Sequence, residues 1–330
     1  HRLQIQNLKT RHRTDASSMD YFQIIDGVMH VEDMPLTRIA EEVGTPVYVY
    51  SRATLERHAQ VFRDGIAPVG RSHIAFAIKA NPNRAVLRVL AKAGYGADVV
   101  SGGEISRAIA SGMKPKDVVF SGVGKTRAEL EQALDSGIGQ FNIELEEEGV
   151  VLAQIAASKG MTANATLRVN PDVDAGTHAK ISTGKKENKF GVAIDQAPGI
   201  FDRLAGLPGL SMRGVALHIG SQLFDLDPLE AAYRRIGQLV ADLRAAGHVI
   251  DRVDLGGGLG VPYRQEENPP SPADYGQMVA RVTKGWDVTL MFEPGRVIVG
   301  NAGVLLTRVI WVKPGVIRPY IIVDAAMNDL

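Results

Sequence analysis

Cysteine is absent from the 330 residues, which excludes disulfides, thiolate nucleophiles and cysteine-ligated zinc or iron–sulfur centres. The 8 histidines never fall into H-x-H or H-E-x-x-H spacing, so no motif supports a histidine-based metal site. An excess of one charge is also missing, because 37 Lys and Arg balance 37 Asp and Glu. A neutral chain has no general electrostatic attraction to nucleic acid or to an anionic membrane, and no basic cluster suggests a local one. No apolar run approaches the roughly 18 residues that a spanning helix needs, so no membrane partner is expected and a reducing, cytoplasmic location is the default. Any chemistry must rest on other side chains or on a cofactor.

Glycine is abundant. Its 35 residues are about a tenth of the chain, against the usual ~7%, which implies many tight turns. Residues 1–18 hold Arg2, Lys9, Arg11 and Arg13 with only Asp15 as an acid, and lack an apolar core. They read as an expression remnant or disordered leader ahead of Met19, with a transit peptide as the alternative. Residues 19–50 contain a strand-like stretch at Tyr21–Ile25, an Asp26-Gly27 turn and a helix pattern near Leu36–Val43, and are assigned to a β-type domain.

Residues 51–295 alternate short apolar runs with amphipathic helices. The eight runs are His73–Ile78, Ala97–Val100, Val118–Phe120, Phe141–Ile143, Ala165–Val169, Val215–Ile219, Val253–Leu255 and Val288–Phe292. Eight βα units in series favour a closed (β/α)₈ barrel of the TIM type over an open doubly wound sheet, within an α/β fold class. Helix starts are expected at the capping box Thr126-Arg-Ala-Glu129 and at Asp227-Pro228 and Ser271-Pro272, where an oxygen would cap the turn before proline. After Pro228, Leu229, Ala232, Tyr233, Ile236, Leu239, Val240 and Leu243 form one apolar stripe. Residues 296–330 change to β-rich segments, Gly303–Val312 and Tyr320–Val323, read as an incomplete β-rich second domain. The polar connection Asn170–Val192 is long for a compact domain, and such loops tend to be functional or mobile.

In a barrel of this kind the chemistry sits at the carboxyl ends of the strands. Those ends carry Lys79, Asp98, Ser101, Ser121, Asn142, Arg168, Asn170, His218, Ser221, the run Gly256-Gly257-Gly258-Leu259-Gly260, and Glu293-Pro-Gly-Arg296. Lys79 follows the apolar run Ile74–Ile78. Apolar walls disfavour its ammonium form, so a lowered pKa and a Schiff-base role are expected, against the simpler reading of a surface lysine at a strand end. The glycine run lets backbone N–H groups approach a phosphate, although Val261 stands where a dinucleotide fingerprint needs its last glycine. Gly124-Lys125-Thr126 is not a P-loop, since Val119 occupies the first glycine position, and Ser182-x-x-Lys185 is a chance-level match to a β-lactamase element. His218 is either a satisfied core histidine or a ring facing the barrel mouth. Glu293 is either an arginine's partner or a functional carboxylate, since a buried charge needs a partner. A lysine, a phosphate cradle, an imidazole and a carboxylate at one mouth meet the needs of pyridoxal 5'-phosphate.

Seven ordered motifs carry a resemblance: Phe76-Ala-Ile-Lys79-Ala-Asn81, Val100-Ser-Gly-Gly-Glu104, Arg168-Val-Asn-Pro171, Glu187-Asn-Lys-Phe-Gly191, His218-Ile-Gly-Ser-Gln222, Gly256-Gly-Gly-Leu-Gly260 and Glu293-Pro-Gly-Arg296. From Met19 to Leu330 the chain resembles the diaminopimelate decarboxylases, which are fold type III pyridoxal-phosphate enzymes of the alanine-racemase-like fold. His178, Ser182-Thr-Gly and Gly258-Leu-Gly-Val-Pro-Tyr263 look more like this family than like ornithine decarboxylases. The resemblance implies that Lys79 binds the cofactor covalently and handles the proton at Cα, that His218 stacks on the ring, and that Glu293 pairs with the ring nitrogen. It further implies that Ser221 and the backbone of Gly256, Gly257 and Gly258 bind phosphate, that Arg296 contacts phosphate or substrate carboxylate, and that Asp98 and Arg168 support the lysine.

The implied reaction converts meso-2,6-diaminopimelate to L-lysine and CO₂, the last step of lysine biosynthesis, in a cytoplasmic homodimer with shared active sites. The family's β domain continues beyond the segment that ends here at Leu330 and supplies a Cys and a Tyr to the neighbouring site. The sequence is therefore expected to be truncated or incompletely recorded, with cofactor binding but little turnover if the molecule stops there. The alternatives are another fold type III decarboxylase acting on ornithine, arginine or carboxynorspermidine, a racemase, and a non-catalytic relative that keeps the barrel as a partner surface.

Overall fold

A computed structural model describes residues 20–174, 189–264 and 266–330. The expectations for residues 1–18 and for His178, Ser182, Lys185, Glu187 and Asn188 lie outside the described residues, as does most of the long connection. The chain divides into a unit spanning Leu55–Gly300 and a second unit made of the residues up to Thr54 with Asn301–Leu330.

Among the described residues, the first unit holds a sheet of nine parallel strands, of which eight close on themselves and the ninth is the two-residue Val192–Ala193. The eight are β1 (Ser72–Ala77), β2 (Gly96–Val99), β3 (Val118–Phe120), β4 (Gln140–Ile143), β5 (Ala163–Asn170), β6 (Leu210–Ala216), β7 (Arg252–Asp254) and β8 (Thr289–Phe292). Closure is made where β8 pairs with β1, placing Phe292 beside Ile74. Each predicted run forms one of these strands, with ends displaced by a few residues. The strands read as near-continuous apolar runs because helices cover their outer faces. The stripe after Pro228 shows that cover directly, since all seven of its residues are buried along helix Asp227–Ala245. At roughly 1.5–3 kcal/mol for each large apolar side chain removed from water, that face dominates the helix's stability.

Thr126 and Ser271 cap their helices as expected, each in a reciprocal capping box. Asp227 does not cap. Its helix begins one residue earlier than the motif suggests, with Leu226 at the N-cap, and the oxygen that meets the Asp227 N–H is Oδ1 of Asp225, at 3.0 Å. Glu293-Pro-Gly-Arg296 leads into a short helix, Arg296–Val299, whose Ile298 and Val299 are buried. The Ile298 carbonyl contacts His58 Nδ1 at 2.9 Å, which ties this helix to the barrel unit and carries that unit to Gly300 rather than to the expected boundary at 295.

The second unit is strand-rich. Phe22–Ile25, Val28–Val31 and Met34–Pro35 form an antiparallel sheet followed by helix Leu36–Val43. Val47–Tyr50 pairs with Gly303–Leu306, and Val309–Lys313 pairs with Tyr320–Val323. Among the described residues no helix is long and apolar enough to cross a membrane.

Candidate active site

The carboxyl ends of the barrel strands bring most of the predicted residues together. Lys79 sits in a 3₁₀ turn directly after β1, and its Nζ lies 3.4 Å from Oδ2 of Asp98 on β2. The register that pairs Ala77 with Asp98 makes this contact, since it sets the Lys79 turn above the end of the neighbouring strand. Asp98 is buried, and its Oδ1 has no hydrogen-bond partner. The Lys79 pKa is raised, not lowered as the local sequence suggested. The Asp98 carboxylate outweighs the opposing effect of burial, and Glu293 adds to it. Local apolar neighbours were a poor guide because both carboxylates come from other strands.

Glu293 follows β8. Its Oε1 lies 3.4 Å from both Ser121 Oγ and Asn142 Nδ2, and burial together with the carboxyl groups of Asp254 and Asp98 pushes its pKa well above the usual carboxylate range. His218 lies just beyond β6, and Nδ1 accepts the N–H of Gly257 at 3.4 Å, which assigns the ring proton to Nε2. Burial, followed by the charges of Arg168 and Lys79, depresses its pKa to about 3, so the ring is neutral at pH 7.

The glycine run is a place of close backbone approach. A Cβ on Gly256 would stand 2.5 Å from the Leu217 carbonyl oxygen, one on Gly257 2.2 Å from that of Glu293, and one on Gly258 2.4 Å from that of Gly220. Only glycine lets three chain segments meet here. The N–H of Gly256 is taken up by Asp254 Oδ1 at 2.9 Å and that of Gly257 by His218. Ser221 lies on the loop stitched to this run, where Leu223 N donates to the Gly258 carbonyl at 2.9 Å and Gln222 Nε2 donates to the Val261 carbonyl at 2.6 Å.

Arg168 and Arg296 are engaged elsewhere. Arg168 Nη1 donates to Glu144 Oε1 at 2.7 Å, and its guanidinium lies 4.7 Å from the Phe190 ring centroid. Glu144 also accepts the N–H groups of Gly122 and Gly191, an anchoring role that the sequence reading missed. Arg296 donates to the Tyr263 hydroxyl and stacks over that ring. A second omission, the partners of Asn142, lies deeper. Gln140, Asn142, Thr166 and Asp254 form a buried polar group inside the barrel, where interiors are usually filled by branched apolar residues. Polar residues at inward-facing strand positions were the available signal.

An amine beside a carboxylate with an unpaired buried oxygen, a neutral imidazole, a protonatable carboxyl and a loop stripped of side chains fit pyridoxal phosphate. Residues 52–300 match the family described as "Pyridoxal-dependent decarboxylase, pyridoxal binding domain". The diaminopimelate decarboxylase of Zymomonas mobilis is 52% identical over 94% of this chain and 74% of its own length. The chain belongs to the diaminopimelate decarboxylase family of pyridoxal-dependent decarboxylases. Another member, from Pseudomonas aeruginosa, is 51% identical over 94% of this chain and 75% of its own. Two crystal structures from the family, both in complex with L-lysine, superpose closely. The Helicobacter pylori enzyme has a TM-score of 0.85 at 39% identity, covering 89% of this chain and 74% of its own. The M. jannaschii enzyme has a TM-score of 0.87 at 35% identity, covering 94% of this chain and 74% of its own. The chain spans about three quarters of the length of these family members.

Proposed function

We propose that this chain decarboxylates meso-2,6-diaminopimelate to L-lysine and CO₂ with pyridoxal phosphate as its cofactor. The observation that carries the proposal is the pairing of Lys79 with Asp98 at the mouth of a barrel that also presents Glu293 and His218. Family membership narrows the amino acid from decarboxylase substrates in general to diaminopimelate.

Bound at this mouth, pyridoxal phosphate supplies a covalent anchor for the amino acid and an electron sink for the bond that breaks at Cα. Lys79 holds the cofactor through Nζ and returns a proton to Cα, with Asp98 keeping that amine charged when it is free. His218, neutral, offers a flat uncharged face to the ring. Ser221 and the Gly256–Gly258 run would bind the phosphate, a role supported by the family resemblance. Glu293 would pair with the ring nitrogen. Arg168 acts through its ion pair with Glu144, and Arg296 serves phosphate or substrate carboxylate after leaving Tyr263. A cytoplasmic homodimer with shared sites belongs to the same reading and is supported by the family resemblance; sedimentation analysis tests the dimer.

The deciding experiment pairs an absorbance spectrum of the cofactor-loaded protein with CO₂ release from meso-diaminopimelate, ornithine and arginine. The proposal requires a visible band that disappears in Lys79→Ala and the highest kcat/KM for diaminopimelate. A higher kcat/KM for ornithine or arginine assigns the chain to the runner-up activity.

A further inference from the structure

Glu144 directly follows β4, and its side chain has an exposure of 0%. A carboxylate so enclosed needs donors and a cation, and Glu144 has both. Oε1 accepts Arg168 Nη1 at 2.7 Å and the Gly122 N–H at 3.1 Å, and Oε2 accepts the Gly191 N–H at 2.8 Å. One side chain thereby joins β5, the loop after β3 and the segment that pairs alongside β5 at Val192–Ala193. The neighbouring acid does not compete for the arginine. Glu148 has its own cation in Lys125 at 2.7 Å, and its Oε2 accepts the Glu144 N–H at 3.1 Å, which fixes the backbone that carries Glu144. Arg168 is enclosed on two further sides. The Phe190 ring centroid lies 4.7 Å from its guanidinium, and Gly191, at φ +68°, packs so closely that a Cβ there would stand 2.9 Å from the Arg168 carbonyl oxygen and 3.2 Å from its Cγ. The carboxylate that takes the guanidinium therefore also ties down the residue beside its aromatic cover.

We propose that Glu144 is a positioning residue of the barrel mouth, whose two oxygens hold the Arg168 guanidinium and the Phe190-Gly191 segment in place, and that it acts on Lys79 and His218 only through Arg168. The inference rests on the cofactor site proposed above. Among the described residues Glu144 makes no hydrogen bond or ion pair with Lys79 or His218, so the arginine is the link. The Arg168 charge reaches both groups and lowers the pKa of each. Around Lys79 it works against Asp98 from β2 and Glu293 from beyond β8, which raise the lysine's pKa, while Glu104 from the helix after β2 also feels the Lys79 charge. His218, from beyond β6, feels the charges of Arg168 and Lys79. Glu144 balances one cation in this group from behind. A guanidinium released from that anchor carries an uncompensated charge, and the carboxyl groups left to attract it are those beside Lys79. The lysine then holds its proton less tightly.

The test reloads stripped enzyme with pyridoxal phosphate and follows the rate of incorporation against pH, which reports the free amine of Lys79. In Glu144→Gln the profile should move to lower pH by roughly one unit, the size expected for an uncompensated neighbouring charge. The kcat of the loaded variant should fall by about tenfold or more with KM little changed, because a displaced charge misaligns the site without removing a substrate contact. Arg168→Met alone should move the profile to higher pH. Adding Glu144→Gln to Arg168→Met should produce no further shift, whereas adding it to Arg168→Lys, which keeps the cation, should still produce one. Leu243→Ala, a packing change in a covering helix, should leave the profile in place. A Glu144→Gln profile that coincides with wild type, or a shift of equal size with and without the Arg168 cation, overturns the inference. If Glu144→Gln does not fold, Glu144→Asp replaces it. That variant keeps the charge but is too short to reach both Arg168 and Gly191, so wild-type kcat with an unmoved profile overturns the inference there. Wild-type protein that takes up no cofactor removes the proposed site and this role together. The profiles need no substrate, so failure with diaminopimelate alone would leave their result standing.

Discussion

Lys79 Nζ and Asp98 Oδ2 stand 3.4 Å apart with opposite exposure, the lysine side chain 58% accessible and the aspartate side chain 1%. The pair joins a group that solvent and ligands can reach to one that only protein can reach. The charge on the accessible partner is therefore set from inside the barrel.

Asp98→Asn should lower the Lys79 pKa, because the carboxylate is the main cause of its elevation. The pH dependence of cofactor incorporation into stripped enzyme should shift to lower pH, since more free amine is present at each pH. The elevated Lys79 pKa also stabilises the stripped fold at every pH below the ordinary lysine value of about 10.4, and that contribution is lost as pH rises through the folded value. Thermal melts above that pH should separate wild type from Asp98→Asn less than melts at pH 8 do. An unchanged incorporation profile would remove Asp98 from this role.

His218 contributes the opposite sign. Its folded pKa of about 3 lies below the reference value of 6.5, so the unfolded chain binds the extra proton first and stability falls as pH drops between those values. His218→Gln should flatten this part of the acid limb in a Tm-against-pH series while weakening the cofactor's visible band. A limb as steep as wild type would count against a buried neutral imidazole.

Gly257→Ala places a Cβ 2.2 Å from the Glu293 carbonyl oxygen, so two chain segments must separate. Overpacking of this kind costs about 1–3 kcal/mol, and here the displaced backbone carries Glu293. Absorbance titration should show cofactor affinity reduced by more than about tenfold, the equivalent of 1.4 kcal/mol. Gly247→Ala, where no atom lies near but φ is +96°, should cost stability with cofactor affinity retained.

Lys125 and Glu148 form a buried ion pair at 2.7 Å, with side-chain exposures of 0% and 7%, and Lys125 Nζ also bonds the Gly122 and Asn142 carbonyls. Lys125→Met leaves the Glu148 carboxyl buried without its cation, a change that costs about 3–5 kcal/mol. Denaturant unfolding should show that loss and its partial recovery in the double variant Lys125→Met/Glu148→Gln. Equal stability of the single and double variants would contradict the pairing argument.

The strands and the covering helix were legible because their information is local. Val118–Phe120 is apolar throughout because both faces of its strand are buried, and the stripe from Leu229 to Leu243 repeats at the helical period. Lys79, His218 and Glu293 could be chosen because the barrel puts strand ends at one mouth. Asn142 was named only as a strand end and Gln140 and Thr166 were passed over, because only barrel closure brings Gln140 and Asn142 of β4 and Thr166 of β5 together with Asp254 of β7.

The sequence by itself determined the order of elements, the barrel class, the reliance on a cofactor in a cysteine-free chain and the set of residues available at the mouth. Tertiary structure decided their protonation. The Lys79 pKa rises because Asp98 and Glu293 arrive from other strands, the His218 pKa falls because burial and the charges of Arg168 and Lys79 disfavour its cation, and Glu293 meets a second acid that a reading along the chain cannot place beside it. Electrostatic interaction depends on distance through space and on exclusion of water, and neither is a property of position along the chain.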